Sequence, residues 1–268
     1  MNVSLIQSNL VWEDREKNLR HFEELLKQLQ GDTHLIVLPE MFSTGFSMNP
    51  AKVAEAADGP SLQWMKVQSK QCNAVITGSL AVHEDGQYYN RLYWVQPDGS
   101  VSTYNKRHLF RMAGEDKQYT AGTERLIVKL NNWMVCPMIC YDLRFPVWSR
   151  NRFRPAVEKS SSGTWEYDVL LYVANWPEVR QYPWKQLLIA RAIENQCYVI
   201  GLNRVGKDGN NYNHSGHSLV INPRGEVISN IPLNEEAVSS YTLDMDYLTE
   251  FRKNFPVGLD ADRFEINE

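Results

Sequence analysis

At residues 35–40 the sequence reads LIVLPE, four consecutive apolar residues followed by a proline and a glutamate. An unbroken apolar run of this length is typical of a short strand covered on both faces, as the strands of parallel sheets are. Proline cannot continue the hydrogen-bond ladder, so the strand ends there and Glu40 lies just beyond it. The stretch predicts an α/β fold with a polar side chain at the edge of a buried sheet.

Strands and helices alternate on either side of this stretch. Residues 14–30 place Leu19, Phe22, Leu26 and Leu29 at helical spacing, which predicts a helix with one buried face. The remaining predicted helices are 61–72 and 184–195, and the predicted strands are 3–7, 74–80, 89–96, 126–130, 134–139, 169–173 and 198–202. Turns are predicted at 84–86, 131–132, 208–209 and 223–225, with a surface insertion at 159–163. We expect one continuous domain over residues 1–268.

Composition and charge narrow the class of protein. The 268 residues carry a formal net charge of -4 and no long run of Lys or Arg, so we expect no nucleic-acid partner. Neither a signal peptide nor a run of membrane-spanning length is present, so we expect a cytoplasmic protein without a membrane partner. The four cysteines, at 72, 136, 140 and 197, form no metal-binding pattern, and we expect free thiols, no metal and no cofactor.

Three polar residues stand where predicted apolar strands end: Glu40, Cys140 and Asn175. Strand ends of this kind gather at one edge of an α/β sheet, where ligands usually bind. A thiol that attacks an amide needs a base, a donor for the oxyanion and an acid for the leaving amine. None of the six histidines stands in a recognised Cys-His context, so a carboxylate base is favoured. Taken singly, Cys140 is better explained by core packing, Glu40 by capping of a turn and Lys106 by solvation.

Three longer motifs change that balance. They read LPEMFSTGF at 38–46, KRHLF at 106–110 and CYDLRF at 140–145. In these motifs the sequence resembles the nitrilase superfamily of carbon–nitrogen hydrolases. The resemblance implies Glu40 as general base, Lys106 as oxyanion donor and Cys140 as nucleophile, with Glu115, seven residues before Gly122, as a second glutamate that positions them. Further similar blocks occur at 174–177, 191–195 and 216–225.

The resemblance also implies an architecture and an assembly. Members of this superfamily form a four-layer αββα sandwich and dimerise by packing helices, so both are expected here. Their chemistry needs neither metal nor organic cofactor. In the expected reaction, Lys106 favours the thiolate of Cys140, and the oxyanion lies against Lys106 and the backbone N–H of Tyr141.

The blocks at 42–46, 108–112 and 144–148 resemble the omega-amidase branch. This branch implies hydrolysis of 2-oxoglutaramate or 2-oxosuccinamate, through a Cys140 thioester, to the 2-oxo-dicarboxylate and ammonia, and a link to methionine salvage. A cation should hold the remote carboxylate of such a substrate, and Arg111 and Arg144 are the candidates. The other candidate substrate-binding residues are Phe42, Tyr141, Asn175 and Trp176.

Two alternatives remain open from the sequence. The first is a different amidase or carbamoylase of the same superfamily, which shares the three catalytic residues and differs in its pocket. The second is a non-catalytic sandwich domain that binds a metabolite or partner, with Cys140 only packed in the core.

Overall fold

The computed structural model describes residues 1–154 and 163–266. The strands are β1 (Asn2–Gln7), β2 (Leu35–Val37), β3 (Glu55–Ala56), β4 (Val75–Glu84), β5 (Gln87–Val95), β6 (Val101–Asn105), β7 (Val128–Leu130), β8 (Trp133–Ile139), β9 (Phe153–Arg154), β10 (Thr164–Trp165), β11 (Val169–Ala174), β12 (Tyr198–Asn203), β13 (Val205–Lys207), β14 (Asn213–Ser215), β15 (Leu219–Ile221) and β16 (Ala237–Thr242). The helices are α1 (Arg15–Leu26), α2 (Pro50–Val53), α3 (Pro60–Cys72), α4 (Glu115–Gln118), α5 (Pro146–Ser149), α6 (Gln181–Asn195) and α7 (Met245–Asn254).

Two large sheets form the middle layers. The first has the strand order β16-β1-β2-β4-β5-β6, with β3 added against β4, and the second has the order β15-β12-β11-β8-β7. In the first sheet β2 runs parallel to both β1 and β4, and in the second β11 runs parallel to both β8 and β12. Parallel neighbours bring the carboxyl ends of these strands to a common edge in each sheet.

Alternating side chains of β1 pack into two different hydrophobic cores. In β1, Leu5 belongs to the apolar cluster that joins the two sheets, whereas Ile6 belongs to the cluster under α1 and α3. Both residues are fully buried, which is worth roughly 1.5–3 kcal/mol for each side chain. This period of two places helices outside and sheets inside, so the four-layer αββα sandwich is confirmed.

Close packing of α6 on the second sheet depends on a glycine. A Cβ at Gly201 of β12 would lie 2.5 Å from Cδ1 of Leu188 and 3.0 Å from the ring of Trp184. The missing side chain therefore lets the helix approach the sheet directly.

Each predicted helix and strand is present within a few residues, but the structure also has elements that were not predicted, among them β6, β16 and α7. The first helix ends at Leu26 rather than near residue 30, because the N–H groups of Gln28 and Leu29 bond three residues back instead of four. Helix α7, which the sequence reading did not predict, begins at Asp244, whose side chain accepts the N–H groups of Asp246 and Tyr247. Of the predicted surface insertion at 159–163, only Gly163 lies within the described residues. Within residues 1–154 and 163–266, no helix is both long and apolar enough to cross a bilayer.

Candidate active site

Strand ends from both sheets meet at one cavity. Glu40 follows β2 and Lys106 follows β6 in the first sheet, while Cys140 follows β8 and Asn175 follows β11 in the second. The structure brings the side chains of Lys106 and Cys140 to the wall of this cavity, together with Asn175. The residues that the sequence places at strand ends are therefore neighbours in space.

Lys106 lies between two carboxylates in the interior. Its Nζ donates to Oε1 of Glu40 at 2.8 Å and to both carboxylate oxygens of Glu115, at 3.0 and 2.9 Å. All three side chains are at most 1% exposed. Burial alone would lower the pKa of Lys106, but the carboxylates of Glu115 and Glu40 outweigh it and raise that pKa above the ordinary value. The lysine is a permanent cation at the base of the cavity.

Glu115 is the second carboxyl group beside the ammonium of Lys106, and its pKa is raised. Burial raises its pKa, Lys106 opposes that shift, and the charge of Glu40 adds to it. The backbone N–H of Phe110 donates to its Oε2 at 2.6 Å. Glu115 is thus held in place on both of its oxygens.

Glu40 is fixed by backbone from the second sheet. The N–H of Asn175 donates to Oε2 of Glu40 at 2.8 Å, and the side-chain amide of Asn175 donates to the carbonyl of Glu40. Met41, the next residue, has a left-handed φ of 42°, so the chain turns sharply after Glu40. The carboxylate is consequently held from a sharp turn beside Lys106 and Asn175, two residues of the cavity wall.

Cys140 occupies a strained position at the end of β8. Its φ is 44°, a conformation that a residue with a Cβ rarely adopts, and it opens a 3-10 turn, Cys140–Arg144. The carboxylate of Asp142 accepts the N–H of Ile139 at 3.1 Å and that of His108 at 3.0 Å, which holds the turn. Strain of this kind at a cysteine facing a cavity points to a functional role.

The thiol of Cys140 lies within hydrogen-bonding reach of Glu40 and of the backbone N–H of Asn175. Burial raises its pKa well above the ordinary value, the carboxylate of Glu40 raises it further, and Lys106 only partly offsets both. Lys106 therefore lowers the pKa of Cys140, as expected, but the pKa is raised overall. The resting group is a thiol beside a hydrogen-bond acceptor, so its proton must leave as it attacks.

Aromatic and cationic side chains line the rest of the cavity. Among the substrate-binding candidates, Tyr141, Arg144, Asn175 and Trp176 lie in its wall. The guanidinium of Arg144 lies 5.1 Å from the ring centroid of Trp176. Oδ1 of Asn175 is buried and has no hydrogen-bond partner within the described part of the chain, which leaves an acceptor for a bound molecule.

Two candidates lie elsewhere. Phe42 is fully buried in the core under α1 and α3, with its ring centroid 5.4 Å from that of Phe22. Arg111 is 83% exposed and pairs with Asp116 at 2.7 Å. Neither residue lines the cavity, so the structure does not bring Phe42 or Arg111 to this site.

The sequence reading missed several residues that do line the cavity. Phe46 lies with its ring centroid 4.9 Å from Nζ of Lys106, and Arg180 lies 5.3 Å from the ring centroid of Phe110. The loop between β13 and β14 closes the far side with Asp208, Asn210 and Tyr212, and β14 adds His214. Arg180 could have been found only from its position, because it is a cation three residues after the strand-end block at 174–177.

No group of three or more His, Cys, Asp or Glu side chains with metal-binding geometry occurs within residues 1–154 and 163–266. The carboxylates of Glu40 and Glu115 are instead occupied by the ammonium of Lys106.

Comparisons with known proteins agree with this geometry. The family model described as carbon-nitrogen hydrolase matches residues 2–253. The omega-amidase YafV of Escherichia coli is 46% identical over 99% of this chain and 98% of its own length. The 2-oxoglutaramate amidase of Bacillus subtilis is 32% identical over 95% of each chain.

A solved structure extends the comparison to three dimensions. A CN-hydrolase superfamily protein of Xanthomonas campestris, described with an arsenic adduct in its active site, is 42% identical, with a TM-score of 0.94. The match covers 100% of this chain and 99% of that one.

Proposed function

This chain belongs to the carbon-nitrogen hydrolase family and is a hydrolase of amide C–N bonds, and from that premise we propose that it is an omega-amidase with Cys140 as its nucleophile. One observation carries the proposal. A thiol, a carboxylate and an ammonium, from Cys140, Glu40 and Lys106, meet at a cavity lined by aromatic rings and guanidinium groups. The similarity to the omega-amidase of Escherichia coli supports the branch within the family.

The first step forms a carbon–sulfur bond. Glu40 accepts the thiol proton of Cys140 while the sulfur attacks the carboxamide carbon of the substrate. The carbonyl oxygen becomes an oxyanion, stabilised by Nζ of Lys106 and the backbone N–H of Tyr141. Nζ of Lys106 makes three hydrogen bonds with its three protons, one to Glu40 and two to Glu115, so the oxyanion must share or replace one of the two bonds to Glu115. Loss of one such donor costs roughly 3–4 kcal/mol of barrier.

The second step breaks the carbon–nitrogen bond. Protonated Glu40 gives its proton to the departing nitrogen, so ammonia leaves and a thioester with Cys140 remains. Glu40 then takes a proton from water, the hydroxide attacks the thioester, and the carboxylic acid is released as the thiol is restored. Glu115 takes no proton in this scheme and holds Lys106 in place.

The proposed substrate is the monoamide of a 2-oxo-dicarboxylate, such as 2-oxoglutaramate or 2-oxosuccinamate. Its free carboxylate would pair with Arg144, and Arg180 supplies a second guanidinium in the cavity wall. Among the described residues, neither guanidinium has a carboxylate within ion-pair distance. Both remain available for a bidentate contact with a substrate carboxylate.

The setting and assembly are part of the same proposal. A single-domain chain would act in the cytoplasm as a homodimer, after a transaminase that uses glutamine, as in methionine salvage. Helix α6 and the turn before it expose apolar side chains that suit a helix-to-helix contact, Val179, Tyr182 and Ile193, which are 76%, 74% and 54% exposed. Sedimentation velocity tests the dimer: a monomer at micromolar concentration would contradict it.

Ammonia release from a panel of substrates tests the activity. The panel contains 2-oxoglutaramate, glutamine, a carbamoyl-amino acid, a simple aliphatic amide and a simple nitrile, with Cys140→Ala as the inactive control. We expect the highest kcat/KM with 2-oxoglutaramate. Preference for the carbamoyl-amino acid or the aliphatic amide would favour the alternative amidase or carbamoylase, and preference for the nitrile would overturn the proposal. The non-catalytic alternative is set aside because the chain belongs to a hydrolase family.

A further inference from the structure

Asn90 lies at the centre of the buried hydrogen bonds around the proposed catalytic groups. It is fully buried in β5, and its Nδ2 donates to Oε1 of Glu40 at 2.8 Å and to Oε1 of Glu115 at 3.2 Å. Its backbone carbonyl accepts the N–H of Lys106 at 2.9 Å. One residue thus contacts both carboxylates and the backbone of the lysine between them.

The orientation of the Asn90 amide follows from its neighbours. The N–H of Met41 can only donate, and it donates to Oγ of Ser79 at 2.9 Å. The hydroxyl proton of Ser79 therefore goes to Oδ1 of Asn90, at 2.8 Å. This leaves the NH2 group of Asn90 facing the two carboxylates with both of its protons.

The hydrogen bonds through Ser79 and Asn90 form a loop that returns to Glu40. It begins at the N–H of Met41, directly after Glu40, and ends at the carboxylate of Glu40. The sharp turn at Met41 and the position of the carboxylate are therefore set by the same two side chains, Ser79 and Asn90. We propose that Asn90, oriented by Ser79, is the positioning residue that holds Glu40 and Glu115 at the geometry needed for proton transfer.

The chemistry of this position favours an amide. A carboxylate there would add a third negative charge beside Glu40 and Glu115, with Lys106 as the one ammonium bonded to them. An alanine would leave Oε1 of each carboxylate with one donor fewer in a buried site. An amide gives two neutral donors from one nitrogen and adds no charge.

The inference rests on the proposed roles of Glu40 and Cys140, and two kinds of variant test it. In Asn90→Asp, we expect kcat for 2-oxoglutaramate to fall by about 100-fold or more, the lower range of what a positioned base contributes. KM should stay within about threefold, because Asn90 is not part of the cavity wall. The acid limb of the kcat profile should move to higher pH, since a third carboxylate favours proton uptake by the group.

A second variant keeps the inference testable if Asn90→Asp does not fold. Ser79→Ala keeps Asn90 and removes only the acceptor for Met41 and the donor that orients the amide, so we expect a drop in kcat of about 10-fold. The matched control is Thr77→Val, two residues earlier on the same strand, where the hydroxyl donates to the carbonyl of Tyr93. It removes a buried strand hydroxyl without touching the site, so it should lower Tm and leave kcat and the pH profile unchanged.

The outcomes separate this inference from the proposed function. Alkylation of Cys140 by iodoacetamide needs no substrate and should slow by about 10-fold in Asn90→Asp, because an aspartate has no N–H group to hold Glu40 beside the thiol. If the wild-type protein released no ammonia from any amide in the panel, the proposed function would fail while this measurement still tested Asn90. An alkylation rate and kcat within about threefold of wild type in both Asn90→Asp and Ser79→Ala would overturn the inference.

Discussion

The hydroxyl of Tyr104 donates to Oδ2 of Asp142 at 2.7 Å, and both groups are buried. Tyr104 lies in β6, which leads into Lys106, whereas Asp142 lies in the turn that begins at Cys140. The bond therefore joins the two sheets next to the site and couples the strand that carries the ammonium to the turn that carries the thiol.

Removal of that hydroxyl should affect both stability and activity. In Tyr104→Phe, Nε1 of Trp148 loses its acceptor as well, so we expect a loss of about 2 kcal/mol in the free energy of unfolding and a severalfold fall in kcat. The matched control is Tyr93→Phe, whose hydroxyl donates to the carbonyl of Ala57 away from the site. Urea denaturation and ammonia release measure the two effects. An equal fall in kcat in both variants would show that the Tyr104 bond has no particular link to the site.

Glu40→Gln tests the base without changing the shape of the side chain. A glutamine cannot take the thiol proton, so we expect kcat to fall by about 10³-fold. Glu55→Gln is the control, because Glu55 is another buried carboxylate and accepts only the N–H of Ser61 among the described contacts. Activity within tenfold of wild type in Glu40→Gln would exclude Glu40 as the base.

Arg180→Gln tests the second guanidinium of the cavity. We expect KM for 2-oxoglutaramate to rise by about 10- to 100-fold, as for loss of a charge-assisted contact, with little change for a neutral amide such as propionamide. Arg111→Gln is the control, since Arg111 is exposed and lies outside the cavity wall. An equal rise in KM for the charged and the neutral amide would contradict a carboxylate contact.

The histidine in the far wall should make stability sensitive to acid. Burial and the charge of Arg204 lower the pKa of His214 from 6.5 to about 4, although Asp208 lies 4.0 Å away and opposes the shift. A lowered folded pKa means that the stabilising contribution is complete above pH 6.5 and is lost as the pH falls towards 4. Between pH 7 and pH 5 this amounts to about 2 kcal/mol.

Chemical denaturation at those two pH values measures the effect. His214→Gln should lose about 2 kcal/mol less than wild type between pH 7 and pH 5, whereas His83→Gln, which removes an exposed imidazole, should follow wild type. An identical pH dependence in wild type and His214→Gln would show that the imidazole is not held neutral by the fold.

The positions of Glu40, Cys140 and Asn175 could be predicted because each ends an apolar strand, and the αββα sandwich places such ends together. Lys106 and Glu115 carried no comparable local signal, and they entered through the resemblance to a family. Their burial against Glu40 is a property of the folded chain, since neither is apolar and neither ends a continuous apolar run.

The difference between the expected and the observed position of Phe42 has a local cause. Met41, with its left-handed φ, reverses the chain after Glu40, so Phe42 points into the core and Phe46, four residues later, reaches Lys106. Sequence spacing does not reveal such a reversal at a residue other than glycine. Asn90 was missed for a different reason, because a single amide within a strand is usually explained by solvation or by a turn.

Next to Cys140 lie two carboxyl groups and one ammonium, with the guanidinium groups of Arg144 and Arg180 elsewhere in the cavity wall, and hydrolysis adds a carboxyl group beside Glu40 and Glu115, where the neutral carboxamide had been. The newly formed acid is therefore repelled by the same groups that made it, whereas the amide is not. We expect weak product inhibition and a reaction that is hard to reverse even at high ammonia concentration. Exit of the product, and with it the direction of flux, is favoured by the two carboxyl groups that lie next to Cys140.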